Sequence, residues 1–299
     1  MLFSLRKPKI RRWIIAVLCG AFTLVAGCSA LRIGYSTAPD LVYWWLDRYV
    51  DFNGAQTVRV REAIGAWFTW NRRTQLPDYA ALLARAQVEV VADTTAARVC
   101  EWQAELIKRA ITAADRATPA AAEILLTFSP QQIAHIERRY AAVNDDFRDD
   151  YLEPDTAKRA AAALKRTVER AETLYGTLDD AQRARMAAAL ARSPFDAELW
   201  LNERRLRQQD ALALLRTLTG DKATREQAEA ALRAYVGKIE HSPREAYRRY
   251  AERLSEFNCA FAATLHNGTS VAQRRHAAGQ LAGWEADLRA LAKAKEPPA

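Results

Sequence analysis

The chain has 299 residues, of which 50% are hydrophobic, so it is long and apolar enough to form a globular core and is not a disordered protein. Its formal net charge is +8, but residues 1–27 contain five Lys and Arg and no acidic residue, so residues 28–299 carry only +3. This near balance, without a basic stripe and interleaved aromatic residues, excludes an extended nucleic-acid-binding surface, and we expect no nucleic acid partner.

Residues 1–27 are typical of a bacterial lipoprotein signal peptide. A basic stretch precedes an uncharged apolar run, and Ala26 and Gly27 lie directly before Cys28. This order resembles the lipobox, in which small residues allow cleavage and the Cys thiol accepts diacylglycerol. The alternative is an uncleaved membrane anchor, but the apolar run is shorter than the roughly 20 residues that a spanning helix needs. We therefore expect lipid attachment at Cys28.

The residue after Cys28 indicates which membrane holds the protein. In bacterial lipoproteins an Asp at this position commonly retains the protein in the inner membrane, so by resemblance Ser29 favours the outer membrane, with the domain facing the periplasm. We expect residues 28–38 to form a lipidated tether and the membrane to be a partner through the lipid anchor. No cofactor is expected.

Helical periodicity dominates the rest of the chain. Apolar residues recur three or four positions apart, and no sustained period-two alternation indicates a sheet. We predict an all-α fold, a multi-helix bundle of roughly ten amphipathic helices with no significant sheet. Because no Pro-rich or Gly-rich linker divides the chain, residues 39–292 are expected to form a single helical domain, and residues 293–299 a disordered tail.

Proline and capping residues predict where helices begin. Ser242, Pro243 and Glu245 combine a capping hydroxyl, a Pro at the first helical position and a Glu at the third. Other starts are expected at Ser193-Pro194, Thr118-Pro119, Pro39, Pro77 and Pro154.

One pattern recurs at three further starts. An apolar residue, a capping residue and, three positions after the cap, a Gln occur within residues 52–56, 128–132 and 178–182. The pattern predicts a capping box, in which cap and Gln each accept a hydrogen bond from the other's backbone amide. It also resembles the paired Leu-Thr-x-x-Gln motif of small periplasmic stress chaperones, although no copy has Leu-Thr.

Aromatic residues concentrate between positions 35 and 79, shortly after the predicted anchor. Tyr and Trp rings suit surfaces that are partly apolar and partly hydrated, including the membrane interface. This segment can therefore form a binding surface, or it can pack one end of the bundle. The residues expected in such a surface are Tyr43, Trp44, Trp45, Trp67 and Trp70.

Two cysteines lie outside the leader and the anchor. Cys100 and Cys259 form an even pair in a protein that is expected to meet the oxidising periplasm. A disulfide between them would close a loop of roughly 160 residues. Two unpaired buried thiols are the alternative.

The sequence contains no recognisable catalytic or metal-binding motif. G-x-S-x-G, H-E-x-x-H, P-loop and dinucleotide-binding patterns are absent, and the four His have no metal-ligand spacing. An acidic run between Asp145 and Asp155 lacks the Gly of a calcium loop and suits the start of a helix near Pro154. No metal site is expected.

Several short stretches carry a family resemblance. They are residues 46–49, 67–77, 175–182 and 200–208. Together they resemble an uncharacterised family of proteobacterial lipoproteins, known only as a domain of unknown function. The resemblance implies an all-helical fold and an envelope location, and it brings no established activity. Members usually carry His after the second Trp of the 67–77 stretch, where this chain has Asn71.

These features lead to one expected function and two alternatives. We expect an envelope lipoprotein that acts as a non-enzymatic, periplasm-facing binding or structural protein, with a protein, peptide or lipid partner. One alternative is a periplasmic chaperone-like or stress-related protein. The other is a hydrolase or lipid-processing enzyme whose site is assembled from residues far apart in sequence.

The lipid anchor can be tested at its attachment residue. Because acylation requires the Cys28 thiol, Cys28→Ala should abolish incorporation of labelled fatty acid and alter leader processing. Metabolic labelling followed by immunoprecipitation measures the effect. Unchanged labelling of the variant would contradict the lipoprotein assignment.

Overall fold

The computed structural model describes residues 30–220 and 223–294, and this part of the chain is all-helical. It contains eleven α-helices and one π-helical turn, with no strand in the described residues, which confirms the all-α bundle predicted from periodicity. The predicted leader, Cys28, Ser29 and residues 295–299 of the predicted tail lie outside the described residues.

The helices follow one another with short connections. In chain order they are α1 (Ala30–Val50), α2 (Gly54–Trp70), α3 (Leu76–Glu89), α4 (Ala96–Leu125), α5 (Pro130–Tyr151), α6 (Thr156–Tyr175), α7 (Asp180–Leu190), α8 (Ala197–Gly220), α9 (Arg225–Glu240), α10 (Glu245–Asn267) and α11 (Val271–Lys293). The π-helical turn Asn71–Gln75 joins α2 to α3 without a break, so the two form one helical segment.

Two helices organise the packing. The longest helix, α4, contacts α2, α9 and α10, while α11 packs mainly on α3 and also on α6 and α1. The described residues form three small apolar clusters between these contacts and no single large core. They centre on Ile133 and Leu212, on Ala122 and Leu218, and on Val168 and Met186.

Several predicted helix starts are wrong. Pro39 and Pro119 lie inside α1 and α4, and residues 30–38, expected as a tether, are the first turns of α1. Tertiary contacts hold α1 on both sides of Pro39: Arg32 pairs with Asp287 of α11 at 2.9 Å before it, and Tyr43 and Val50 are buried after it.

Two predicted capping hydroxyls have other partners. The Thr118 hydroxyl donates to the Ala114 carbonyl one turn earlier, within α4. Helix α10 begins at Glu245 without a side-chain cap, because Ser242 lies further from the start and donates to the carboxylate of Glu203 at 2.8 Å. In both places a hydrogen bond outside the cap replaces the predicted one.

The three recurrent Gln patterns do form capping boxes. Asn53, Ser129 and Asp179 cap α2, α5 and α7, and each accepts from the backbone of the Gln three positions later. Two further boxes, at Thr224 and Ser270, cap α9 and α11. The capping prediction is therefore confirmed, and the pattern is more widespread than the sequence reading found.

Four of these Gln residues also bind one another in pairs. Gln56 Nε2 donates to Gln132 Oε1 at 3.3 Å, and Gln132 Nε2 donates to Gln56 Oε1 at 2.7 Å. Each amide additionally donates to a carbonyl just before the partner helix, Thr127 for Gln56 and Asp51 for Gln132. The starts of α2 and α5 are thus fastened together by a reciprocal carboxamide pair.

The second pair repeats this arrangement at the starts of α7 and α11. Gln182 and Gln273 exchange hydrogen bonds at 2.8 and 2.9 Å. Gln182 also donates to the Gly268 carbonyl and Gln273 to the Thr177 carbonyl, each two residues before the partner's cap. Because all amide donors are satisfied, these polar groups can lie between helix ends at little cost.

The predicted disulfide is present. Cys100 of α4 and Cys259 of α10 are bonded, with their Cα atoms 5.5 Å apart and a sequence separation of 159 positions. Cys259 is fully buried, which places it on the face of α10 that contacts α4. The bond therefore ties the first half of the chain to its last third.

Two matched Gln→Glu substitutions distinguish the stability contributed by the carboxamide pair from the stability contributed by the capping box. Glu also completes a capping box, so Gln227→Glu in the exposed, unpaired box of α9 should change the free energy of unfolding by less than about 0.5 kcal/mol. Gln132→Glu replaces a buried donor by a carboxylate facing two oxygens and should cost about 3 kcal/mol or more. Urea unfolding at neutral pH measures both, and equal losses would show that pairing adds nothing to the cap.

The disulfide should contribute substantially to stability. Closing a loop of this length in the unfolded chain is worth on the order of 5 kcal/mol in the chain-entropy model, so Cys100→Ala/Cys259→Ala should lower the urea midpoint strongly. Wild-type protein under reducing conditions serves as the comparison and should approach the variant. Alkylation of both cysteines in denatured, unreduced protein would contradict the bond.

Candidate functional site

A cavity of about 1000 Å³ opens between α1, α2 and α4. One residue of α8, Leu215, and one of α9, Arg225, also reach it. Its volume lies at the upper end of the range of about 300–1,000 Å³ that is typical of small-molecule sites. This cavity is the strongest candidate for a binding site in the described part of the chain.

The cavity wall is almost entirely apolar. Of the twenty-five lining residues, only Asn71, Arg116, Glu123 and Arg225 carry an amide or a charge. The apolar wall comes from Val42, Leu46, Val50, Phe52, Val60, Ala63, Ile64, Ala66, Trp67, Phe68, Leu76, Ala117, Pro119, Ala120, Ala121, Ile124, Leu125, Phe128 and Leu215. A ligand that fills this space must itself be largely apolar.

The two facing helices differ in side-chain size, and this difference leaves the space open. Helix α2 presents Val60, Ile64 and Trp67, which share one face because they are spaced by four and three residues. Opposite them α4 presents small residues, including Ala117 and Ala120. Because an alanine side chain extends little from its helix, the alanines of α4 do not reach the large side chains of α2. The space between the two helices therefore stays open.

One polar cluster lies in the cavity wall. Tyr35 donates its hydroxyl to Asn71 Oδ1 at 2.9 Å, and Asn71 is only 4% exposed. Tyr79 also hydrogen-bonds Asn71. Burial is the main cause that raises the pKa of both Tyr35 and Tyr79, so their hydroxyls stay protonated and remain hydrogen-bond donors at neutral pH.

The polar cluster depends on the π-helical turn. Asn71 is the first residue of that turn, and the amide of Leu76 donates to the Asn71 carbonyl, five residues earlier. Pro77, which has no amide hydrogen, follows directly. Single π turns inside α-helices are frequent at functional sites, and here the turn carries the one buried carboxamide of the cavity.

Charged groups occur at the edge of the cavity. Arg225 of α9 forms an ion pair with Glu123 of α4. Arg116, also on α4, lies with its guanidinium 5.9 Å from the centre of the Trp70 ring. These side chains extend into solvent, so they can meet the polar part of an amphiphilic ligand.

The predicted aromatic surface is divided between two places. Trp44 and Trp45 are 60% and 59% exposed on α1. Trp67 lines the cavity and donates its indole N–H to the Ala113 carbonyl at 2.9 Å, while the half-buried Trp70 packs against it. Only the α1 pair lies on an open surface.

Tyr43 does not belong to an exposed surface. It is 8% exposed, its hydroxyl lies 3.1 Å from Thr57 Oγ1, and the Arg61 guanidinium lies 3.9 Å from its ring centre. Its position on α1 turns it toward α2. Tyr43 is therefore a packing residue that holds these two helices together.

The sequence reading did not identify the cavity or its polar cluster. The alanines between residues 113 and 122 could have indicated a helix face too small to fill its surroundings. Asn71 was noted only through the family resemblance. Tyr35 and Tyr79 gave no separate signal, because their meeting depends on how α1 packs against the π turn.

The acidic run serves the ends of helices. Asp155 caps α6 by accepting from two backbone amides, and Asp145 pairs with Arg148 one turn later at 2.5 Å. Across residues 30–220 and 223–294, no group of three or more His, Cys, Asp and Glu is arranged to hold a metal ion. Nor does any helix in these ranges have the length and apolar character to cross a membrane.

Comparison with known proteins gives a family and no function. A family model described as "Family of unknown function (DUF6279)" matches residues 48–248, which include most of the cavity wall and the π turn. No curated protein and no solved structure matches the chain.

Proposed function

The chain belongs to DUF6279, a family of unknown function, and from this premise we propose that it is a lipid-anchored envelope protein that binds an acyl chain in the cavity between α1, α2 and α4. The cavity is the observation that carries the proposal. We infer the lipid anchor at Cys28 from the leader sequence, and the outer-membrane location from Ser29.

The size and lining of the cavity support a long apolar ligand. Burial contributes about 0.8 kcal/mol per CH₂ group, so an acyl chain of about twelve carbons would gain on the order of 10 kcal/mol before the costs of ordering it. A peptide would bring backbone amides and carbonyls that the nearly all-apolar wall could not pair. An acyl chain has no such groups.

The few polar residues of the cavity suit the head of an amphiphile. A carboxyl or ester group needs a hydrogen-bond donor, and the Tyr79 hydroxyl, which lines the cavity, supplies one. Arg116 at the edge supplies a positive charge for an anionic group. The ligand class that fits both features is a fatty acid or a lipid with an accessible acyl chain.

The cavity chemistry supports binding without catalysis. Among the described residues, its lining includes no Ser, Cys or His that could serve as nucleophile or general base. The buried His266 lies elsewhere, where its two ring nitrogens contact the Tyr175 hydroxyl and the Ala92 carbonyl. Neither partner is a carboxylate, so this His lacks the acid of a catalytic triad.

A cavity-filling substitution tests the proposal. The protein would be exported with an ordinary cleavable signal peptide and Cys28→Ala, which yields an unanchored domain, and titrated with dodecanoate by calorimetry. Ala120→Phe places a ring in the cavity and should weaken binding by about tenfold or more, equivalent to about 1.4 kcal/mol.

A matched variant on the same helix provides the control. Ala110 of α4 is exposed and does not line the cavity, so Ala110→Phe should leave dodecanoate affinity unchanged. Thermal unfolding of both variants checks that the fold is retained. Equal affinity of wild type and Ala120→Phe, or no binding by the wild type, would contradict acyl-chain binding in this cavity.

A further inference from the structure

The outward face of α1 is apolar and uncovered. Ile33, Leu41, Trp44 and Trp45 are each more than half exposed. Their helical spacing places them on one side of α1, together with Arg48 at its end. We call this set the α1 outer face; within it, the Trp45 ring packs on the Tyr49 ring of the same helix, with their centres 4.9 Å apart.

The opposite side of α1 makes the contacts with the protein. Tyr43 and Val50 are buried against α2 and α5, and Leu46 lines the cavity. Of the two acidic residues of α1, Asp40 pairs with Arg61 at 2.9 Å and Asp47 accepts a hydrogen bond from the Phe52 backbone amide at 3.0 Å. Packing within the domain therefore does not account for the exposed apolar groups.

The position of α1 in the chain indicates what covers this face. Helix α1 begins at Ala30, two residues after Cys28, so its first Cα lies within about 8 Å of the Cα of the anchored residue. The first turn of a helix this close to an acylated Cys lies near the membrane surface, and the rest of α1 can follow that surface with its apolar side turned toward it. Trp rings prefer that zone, because the ring is apolar and its N–H stays hydrated.

We propose that the α1 outer face docks into the interfacial layer of the bilayer that holds the lipid anchor. This inference rests on the anchoring part of the proposed function and does not depend on acyl-chain binding. Helix α1 would lie along the membrane with Ile33, Leu41 and the two Trp rings among the lipid headgroups, as amphipathic interfacial helices do.

Docking in this orientation also positions the cavity. Val42 lies on α1 at the border between the α1 outer face and the cavity, which it lines. The cavity would therefore open beside the membrane surface, so that an acyl chain could pass between bilayer and cavity without crossing bulk water.

The experiment measures contact of the two Trp rings with lipid in the full, processed protein. The lipidated protein is reconstituted into vesicles of phosphatidylethanolamine and phosphatidylglycerol with brominated acyl chains, which quench Trp fluorescence only on contact. Wild type should be quenched, and Trp44→Phe/Trp45→Phe should lose most of the quenching. Trp102→Phe on α4, where the indole N–H donates to Glu89 at the end of α3, should keep it.

A charge substitution tests docking while keeping Trp44 and Trp45, whose fluorescence reports contact with lipid. Leu41→Asp should reduce the quenching of Trp44 and Trp45, whereas Val88→Asp, at an exposed Val of α3, should not. Circular dichroism checks that each variant retains its helices. Equal quenching in wild type and Trp44→Phe/Trp45→Phe would overturn the proposal.

The test also distinguishes other occupants. A second copy of the chain on the α1 outer face would give a dimer in detergent that Leu41→Asp dissociates, with no lipid quenching, and this would likewise overturn membrane docking. Dodecanoate binding by the unanchored domain is measured separately, so failure of docking and failure of acyl-chain binding give different results.

Discussion

The cavity depends on the reciprocal carboxamide pair between Gln56 and Gln132. The residues just before the two caps are Phe52 and Phe128, and both rings line the cavity with their centres 6.3 Å apart. By fixing the starts of α2 and α5, the pair also fixes the positions of these two rings of the cavity wall. Polar chemistry at two helix ends thus determines the shape of an apolar site.

The repetition of this pair indicates how a chain with three small cores holds together. Gln56 and Gln132 are 76 residues apart, and Gln182 and Gln273 are 91 residues apart. Each pair connects two distant segments of the chain. Two carboxamides exchange two hydrogen bonds only when they face each other, so the pair allows one relative position of the two side chains. Apolar packing is tolerant of small shifts, and these pairs supply directional restraint that it lacks.

The features that could be predicted from the sequence are those that depend on neighbouring residues or on composition. A cap and a Gln three residues later form a box within one turn, so the boxes at Asn53, Ser129 and Asp179 could be identified without any knowledge of the fold. The all-helical class followed from periodicity, and the disulfide from the compartment and the even count. Each of these depends on few residues or on composition.

Tertiary packing determined the features that the sequence could not show. Pro39 and Pro119 usually end or begin helices, but neighbouring helices hold α1 and α4 continuous through them. The resemblance to the chaperone motif rests on spacing alone, and in the structure its three Gln residues are buried, with Gln56 and Gln132 facing each other and Gln182 facing Gln273. The cavity is defined by helices far apart in sequence.

The π turn at Asn71–Gln75 joins α2 and α3 into one continuous helical rod and changes the direction in which the later side chains point. One extra residue in a turn rotates every later side chain by about 100°, since an α-helix has 3.6 residues per turn. The rod can therefore form a wall of the cavity through α2 and pack on α11 through α3. A ligand that displaced α2 along its axis would also shift α3 against α11, because the two helices are continuous.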